Sequence, residues 1–168
     1  GGTMEQHSEA RGLFARCALP CGTWIGDFTG MVKPQVADDR SRYLLEVFHD
    51  PALGIRLDVD AMCHGNETRF INDFKGIAAN ANVAFCVYRT PTTGELAVGV
   101  VTTSAIARGE EVLADYGRKF WGDDEHDDEG SIVNFSDGRT DEAELGNART
   151  FAISRPAPLY PQLVCTQE

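Results

Sequence analysis

Positions 55–60 alternate strictly. Ile55, Leu57 and Val59 are apolar, and Arg56, Asp58 and Asp60 are charged. That is the period of a half-buried strand. Short apolar segments at 13–18 and 23–28 flank Pro20 and Gly22, which predicts strand, turn, strand. Segment 43–48 mixes aromatic and aliphatic residues. Runs at 83–89 and 95–103 predict two longer strands, with Pro91-Thr92-Thr93-Gly94 as the hairpin loop between them. Helical spacing is scarce, and 36–45 is the best stretch for it. The pattern therefore predicts a mainly β (α+β) unit over 11–121, without internal repeats.

After Trp121 the texture changes. Residues 123–130 form a solvated charge run, and the chain to Ala148 has few large apolar residues. This stretch reads as loosely attached. Segment 150–164 regains apolar residues, while Pro156, Pro158 and Pro161 forbid a long helix. It is able to pack back over the core. The predicted organisation is an N-terminal tail (1–10, glycine-led and unlike a signal peptide), a compact domain (11–121) and an acidic, partly mobile extension (122–168) that can pack over the site.

The chain has 168 residues, 42% of them hydrophobic, enough for one domain with a real core. No apolar run approaches the roughly 18 residues of a membrane span. The formal net charge is −11. From Gly122 onward eleven acids face three arginines, so most of the excess lies in the extension. Tight binding to bare nucleic acid or to an anionic membrane is disfavoured, and a basic peptide partner is favoured. The five cysteines, an odd and scattered set, argue for a reducing compartment and against a disulfide framework. Each reads as a small buried hydrophobe. No C-x-x-C pair occurs, so a structural zinc site is not expected. His7, His49, His64 and His126 lack mutual metal-ligand spacing.

The chemistry concentrates in a few motifs. Arg11-Gly12-Leu13-Phe14-Ala15 opens the first strand with a glycine, which permits close backbone approach to a ligand. Ser41-Arg42-Tyr43-Leu44-Leu45 carries an isolated tyrosine. Gly65-Asn66-Glu67-Thr68-Arg69-Phe70-Ile71-Asn72-Asp73 precedes Asn82-Val83. Gly109-Glu110-Glu111-Val112-Leu113-Ala114-Asp115-Tyr116-Gly117 is followed by Phe120 and Trp121. In this order the segments resemble the signature motifs of the SET-domain protein lysine methyltransferases. The resemblance covers about residues 11–121. It implies several small curved sheets with a C-terminal pseudoknot, and S-adenosylmethionine as cofactor, leaving S-adenosylhomocysteine.

The resemblance also implies site roles. Arg11, Gly12, Leu13 and Phe14 would contact the methionine end of the cofactor. Arg69, Phe70, Ile71, Asn72 and Tyr116 would also bind the cofactor, Asn72 bonding its amino-acid moiety and neighbouring backbone groups holding adenine. Tyr116 would be the catalytic tyrosine, with Tyr43 beside it. Tyr43, Phe70, Ala114 and Tyr116 would line the lysine channel, and Phe120 and Trp121 would cover adenine or close the channel. Ala114 stands where a bulky aromatic often limits the methyl count, so multiple methylation is expected. The chain departs from the family pattern at Ala10 (usually glycine), at Asp73 (usually histidine) and in the ten-residue step from Asn72 to Asn82.

Methyl transfer from a sulfonium to an amine needs a neutral nitrogen in line with the S–CH₃ bond. A free lysine has a pKa near ~10.4, so it must lose its proton at or before the channel. An aromatic channel disfavours the ammonium by desolvation and aligns the nitrogen. The first reading is a protein lysine N-methyltransferase acting on a histone or another basic protein, inside the cell and in the nucleus if the substrate is histone. The alternative is a catalytically degenerate binding module for basic peptides, motivated by the three departures. Methylation of a small-molecule amine is a third.

Overall fold

A computed structural model of the chain describes residues 11–36 and 39–117 in full and the backbone of 132–134 and 163–167. The strands in order are β1 (Arg11–Ala15), β2 (Trp24–Phe28), β3 (Met31–Pro34), β4 (Leu44–Asp50), β5 (Ile55–Asp60), β6 (Asn72–Asp73), β7 (Val83–Arg89), β8 (Leu96–Thr102), β9 (Leu113–Ala114), β10 (Ile132–Asn134) and β11 (Leu163–Gln167). The helical element among the described residues is one 3-10 turn, Glu67–Phe70. The strands form four small sheets, ordered β10-β7-β8-β2, β3-β5-β4, β1-β11 and β6-β9. The mainly β expectation therefore holds, split over small sheets.

The β7–β8 hairpin is the central pair, antiparallel from Val83↔Thr102 to Arg89↔Leu96. Its valine-rich strands bury Val83, Val98, Val100 and Val101 almost completely. The loop residue Gly94 has φ 71°, a left-handed value that favours glycine. Along β8, Gly99 makes room for a ring. A Cβ there would lie 1.9 Å from Cη2 of buried Trp24, which in turn meets Tyr88 edge-on. Gly99→Ala is expected to destabilise the domain by about 2 kcal/mol through overpacking. Thermal unfolding checks this, with a fall of roughly 4–8 °C expected. An unchanged melting temperature would contradict the packing described.

Segment 36–45 is not helical where it is described; positions 37–38 lie outside the described residues. Asp39 Oδ1 accepts the Ser41 N–H at 3.0 Å, and Ser41 Oγ accepts the Tyr43 N–H at 3.3 Å. Such side-chain bonds compete with helix. Leu44 and Leu45 then enter β4, which pairs with β5.

The alternation of β5 is also modified. Asp58, on the predicted polar face, is 2% exposed, while Ile55 on the apolar face is 43% exposed. Burial pushes the Asp58 carboxyl up, partly offset by a 3.3 Å hydrogen bond from Gln35 Nε2. Burial along β5 instead rises from exposed Ile55 to buried Asp58 and Val59, so the two faces do not stay dry and wet along the whole strand.

Asp60, two residues on, titrates the other way. Burial alone would raise its pKa. Hydrogen bonds from Lys33, Ser41 and the Met62 N–H outweigh this and bring it from 3.8 to about 2. A depressed carboxylate stabilises the fold above its unfolded pKa, and that contribution is lost as pH falls through the folded value. Asp60→Asn is expected to cost about 1–2 kcal/mol at neutral pH. The gap to the parent is expected to close between about pH 4 and pH 2. Urea unfolding at the two extremes measures it, and a gap unchanged in acid would refute the assignment.

Of the described cysteines, Cys86 meets the expectation of burial, whereas Cys21 and Cys63 do not. Cys86 is buried, with its thiol pushed up to about 12 by burial, and Cys17 is half-buried. Cys21 and Cys63 are exposed, both in turns between strands. The side chain of Cys165 and the acidic run 123–130 lie outside the described residues. From the extension, β10 adds parallel to β7 and β11 pairs antiparallel with β1, Arg11 opposite Gln167. Of the stretch 150–164 expected to pack back, the described residues are 163 and 164, which lie in β11.

Candidate active site

The site begins where β6 and β9, each two residues long, pair in parallel: Asn72 opposite Leu113 and Asp73 opposite Ala114. Asn82 fastens the pair. Its Nδ2 donates to the Glu111 carbonyl, and its Oδ1 accepts the Leu113 N–H, both at 2.8 Å. Its own N–H donates to the Leu113 carbonyl at 2.9 Å. The stretched step between Asn72 and Asn82 is absorbed by an exposed turn after Phe74, whose carbonyl accepts the Ile77 and Ala78 N–H groups.

Strand β1 runs alongside. The Val112 N–H donates to the Leu13 carbonyl at 2.7 Å, and Phe14 and Glu111 form a bridge. From β6, Asn72 Nδ2 donates to the Arg11 carbonyl at 2.9 Å and to Glu111 Oε1 at 2.8 Å. A Cβ at position 12 would lie 2.5 Å from that same oxygen. Arg11, Gly12, Asn72 and Glu111 therefore meet in one place. Leu13 is wholly buried in the core beneath it, and Phe14 is half-buried.

Tyr116 stands next to this cluster. Its hydroxyl donates to the carbonyl of Ile71, the residue before Asn72. Its N–H donates to Asp73 Oδ2 at 2.7 Å. Asp73 Oδ1 accepts the Lys75 N–H at 2.8 Å, so this 7% exposed carboxylate is held by two backbone donors. The phenol pKa is pushed up to about 12, first by burial and then by the Asp73 charge and by Tyr43. The group is neutral across the physiological range and is a hydrogen-bond donor, not a base.

The 3-10 turn supplies the aromatic wall. Arg69 donates to the carbonyls of Ala61 and Met62, at 3.2 and 3.0 Å. Its guanidinium lies 4.7 Å from the Phe70 ring centre and 5.5 Å from that of Tyr43. The Arg11 guanidinium also approaches the Phe70 ring, at 5.6 Å. Such cation–π contacts orient rings. Tyr43, Phe70 and Tyr116 are half-buried against the core that contains Ile71 and Ala114. Ala114 is wholly buried, so its methyl faces packed neighbours and not an open surface. Phe120 and Trp121 lie outside the described residues. His49 and His64 are exposed, and His7 and His126 fall outside the description. Asp73 and Glu111 join the site without a role foreseen from sequence. The signal was present only as two acids inside longer motifs.

This is the class of β-rich domain whose site is assembled from distant loops and not from one sheet edge. Residues 10–117 match the family model of the SET domain, and the chain belongs to that family. Among solved structures it is similar to ATXR5 in complex with a mono-methylated histone H3.1 (23% identity, TM-score 0.52, 62% of this chain and 51% of that one). It is also similar to the polycomb repressive complex 2 of Chaetomium thermophilum (23% identity, TM-score 0.51, 63% of this chain and 13% of that one). An active polycomb repressive complex 2 in the stimulated state matches at 24% identity and TM-score 0.50. At these identities the likeness is one of fold. The chain spans about half the length of the ATXR5 chain. A comparison with curated proteins gave no match.

Proposed function

We propose that this domain transfers methyl groups from S-adenosylmethionine to the ε-amine of a lysine in a basic protein. One observation carries the reading: the Asn72 amide, bonded to the Arg11 carbonyl, and the Tyr116 phenol, bonded to the Ile71 carbonyl, belong to adjacent stretches of one small site. The residues suit a donor of this kind. The missing Cβ of Gly12 leaves the space that Glu111 Oε1 fills, and from there Glu111 bonds Asn72. Arg11, Gly12, Leu13, Phe14 and Asn72 would hold the amino-acid end, with Phe120 and Trp121 proposed to cover the base. When bound, the cofactor supplies a methyl group on a positively charged sulfur.

The chain's own residues do the rest. The rings of Tyr43, Phe70 and Tyr116 form an apolar wall that disfavours an ammonium and so favours loss of its proton. The neutral Tyr116 hydroxyl, anchored through its backbone to Asp73, would orient the amine and the polarised methyl through weak contacts. The parallel β6–β9 pair and the Asn82 clamp support the threaded arrangement expected of the family. The acidic balance of the chain suits a basic peptide, and the histone in the ATXR5 complex makes a histone tail the first substrate to try, with nuclear location as its corollary. The test is radiolabelled methyl transfer to histones and to a lysate, alongside calorimetric titration with S-adenosylhomocysteine. Label on a lysine of a basic protein is expected. Neither label nor heat would turn the reading toward a peptide-binding module.

A further inference from the structure

Residues 39–43, which lead into β4, belong to no strand or helix. Side-chain bonds hold them instead, and Ser41 is at their centre. Its N–H donates to Asp39 Oδ1 at 3.0 Å, and its hydroxyl donates to Asp60 Oδ1 at 2.7 Å. A carboxylate only accepts, so Asp60 fixes the direction of that hydroxyl. The Ser41 oxygen is then left to accept the Tyr43 N–H, at 3.3 Å. The Tyr43 carbonyl accepts the Ala61 N–H at 3.0 Å, and Ala61 follows Asp60 in the chain. The bonds close a ring: Asp60 to Ser41, Ser41 to Tyr43, Tyr43 to Ala61, and back through one peptide link. Both main-chain polar groups of Tyr43 are engaged in it.

The ring is anchored on two sides. Lys33 Nζ lies 2.5 Å from Asp60 Oδ2 and 2.8 Å from Asp39 Oδ2, which ties both carboxylates to β3. Asp60 Oδ1 also accepts the Met62 N–H at 2.9 Å. Arg69 donates to the Ala61 and Met62 carbonyls while its guanidinium lies 5.5 Å from the Tyr43 ring centre. Gly65 lets the chain pass close by, since a Cβ there would lie 2.5 Å from the Ala61 carbonyl oxygen. The loop that delivers Tyr43 and the segment that leads to the 3-10 turn are thus fastened to one carboxylate. The Tyr43 ring packs against the core. Tyr43 also lies close enough to Tyr116 to add, after burial and Asp73, to the rise in that phenol's pKa.

We infer that Ser41, oriented by Asp60, is a positioning residue for Tyr43 and so for the aromatic wall along which the substrate amine travels. The inference rests on the methyl-transfer reading and deepens it, because it assigns what sets the place of that wall. Ser41 touches neither the proposed cofactor residues nor Tyr116, and it acts through the Tyr43 backbone. Transfer in line with a sulfonium depends on alignment, and a misplacement of about 1 Å costs on the order of 100-fold in rate.

The test follows labelled methyl transfer to core histones and to a cell lysate with the full chain, Ser41→Ala and Ser41→Thr. Ser41→Ala removes both the bond to Asp60 and the acceptor for Tyr43. It is expected to lower the labelling rate about 10-fold at saturating S-adenosylmethionine. The Kd for S-adenosylhomocysteine is expected to stay within about twofold. Ser41→Thr keeps the hydroxyl and is expected to label within about threefold of the parent rate. Amide hydrogen exchange gives a reading independent of turnover. The Tyr43 amide is expected to exchange faster in Ser41→Ala and at the parent rate in Ser41→Thr. A Ser41→Ala protein that labels at the parent rate would overturn the inference and leave the methyl-transfer reading standing, whatever its exchange. So would a Ser41→Thr protein as slow as Ser41→Ala, or a rate loss matched by an equal loss of S-adenosylhomocysteine affinity. An unchanged Tyr43 amide in Ser41→Ala would break the link to Tyr43 itself. A parent that labels no protein would overturn the methyl-transfer reading, and this role with it.

Discussion

Tyr116→Phe is expected to lower kcat by roughly 100-fold or more while leaving the Kd for S-adenosylhomocysteine within about twofold. The ring stays, so the packing of Tyr116 against the core stays with it. What goes is one hydroxyl, bonded to the Ile71 carbonyl at the point proposed for the amine. The Asn72–Arg11 contact, proposed above to lie at the cofactor, does not use that hydroxyl. Stability is expected to fall by about 1 kcal/mol, as for a typical lost hydrogen bond. The phenol, with its pKa near 12, does not titrate in the working range. The rate is therefore expected to rise with pH as the substrate lysine loses its proton, with the same inflection in parent and variant. Single-turnover kinetics over a pH series measures both features. A variant that methylates at the parent rate would remove Tyr116 from the mechanism, and an inflection that moves on substitution would make the phenol a base.

Asn82→Ala carries the largest expected cost in stability. The 6% exposed side chain satisfies the Glu111 carbonyl and the Leu113 N–H at once. Alanine would leave both backbone groups without that partner in a dry setting. Each orphaned group costs about 1–3 kcal/mol, so a loss of about 2–6 kcal/mol is expected for the two. Asn82→Asp would keep the acceptor for Leu113 but oppose a charge to the Glu111 carbonyl, and is expected to be no better. Denaturant unfolding followed by circular dichroism decides it. Because β9 leads directly to Tyr116, loss of methyl transfer is expected to accompany loss of stability. An Asn82→Ala protein as stable as the parent would mean that the clamp contributes nothing to the pairing of β6 with β9.

The elements that were legible in advance share one trait. Residues 83–89 and 95–103 announced a hairpin because strand periodicity and a turn sequence are local properties, and β7 and β8 follow them within a residue. The segment 36–45 looked helical by spacing, yet Asp39 and Ser41 capture nearby N–H groups and β5 claims Leu44 and Leu45 as ladder partners. Asp58 looked exposed from the alternation, and only the neighbouring strand with Gln35 makes it buried. The cysteines were judged by residue type, and exposed Cys21 and Cys63 show that type alone does not decide burial.

The amino-acid order was sufficient to name the family to which residues 10–117 belong and to nominate Gly12, Asn72 and Tyr116 as candidates, since short motifs with fixed internal spacing survive as text. Which groups touch was decided by tertiary structure alone. Asn72 lies 39 residues from Glu111 and 61 from Arg11, and Tyr116 lies 45 from Ile71. Side-chain direction, amide polarity and the charge beside a glycine are properties of the closed chain. They come from hydrogen bonds that no local pattern encodes, formed only when two two-residue strands far apart in sequence pair in parallel.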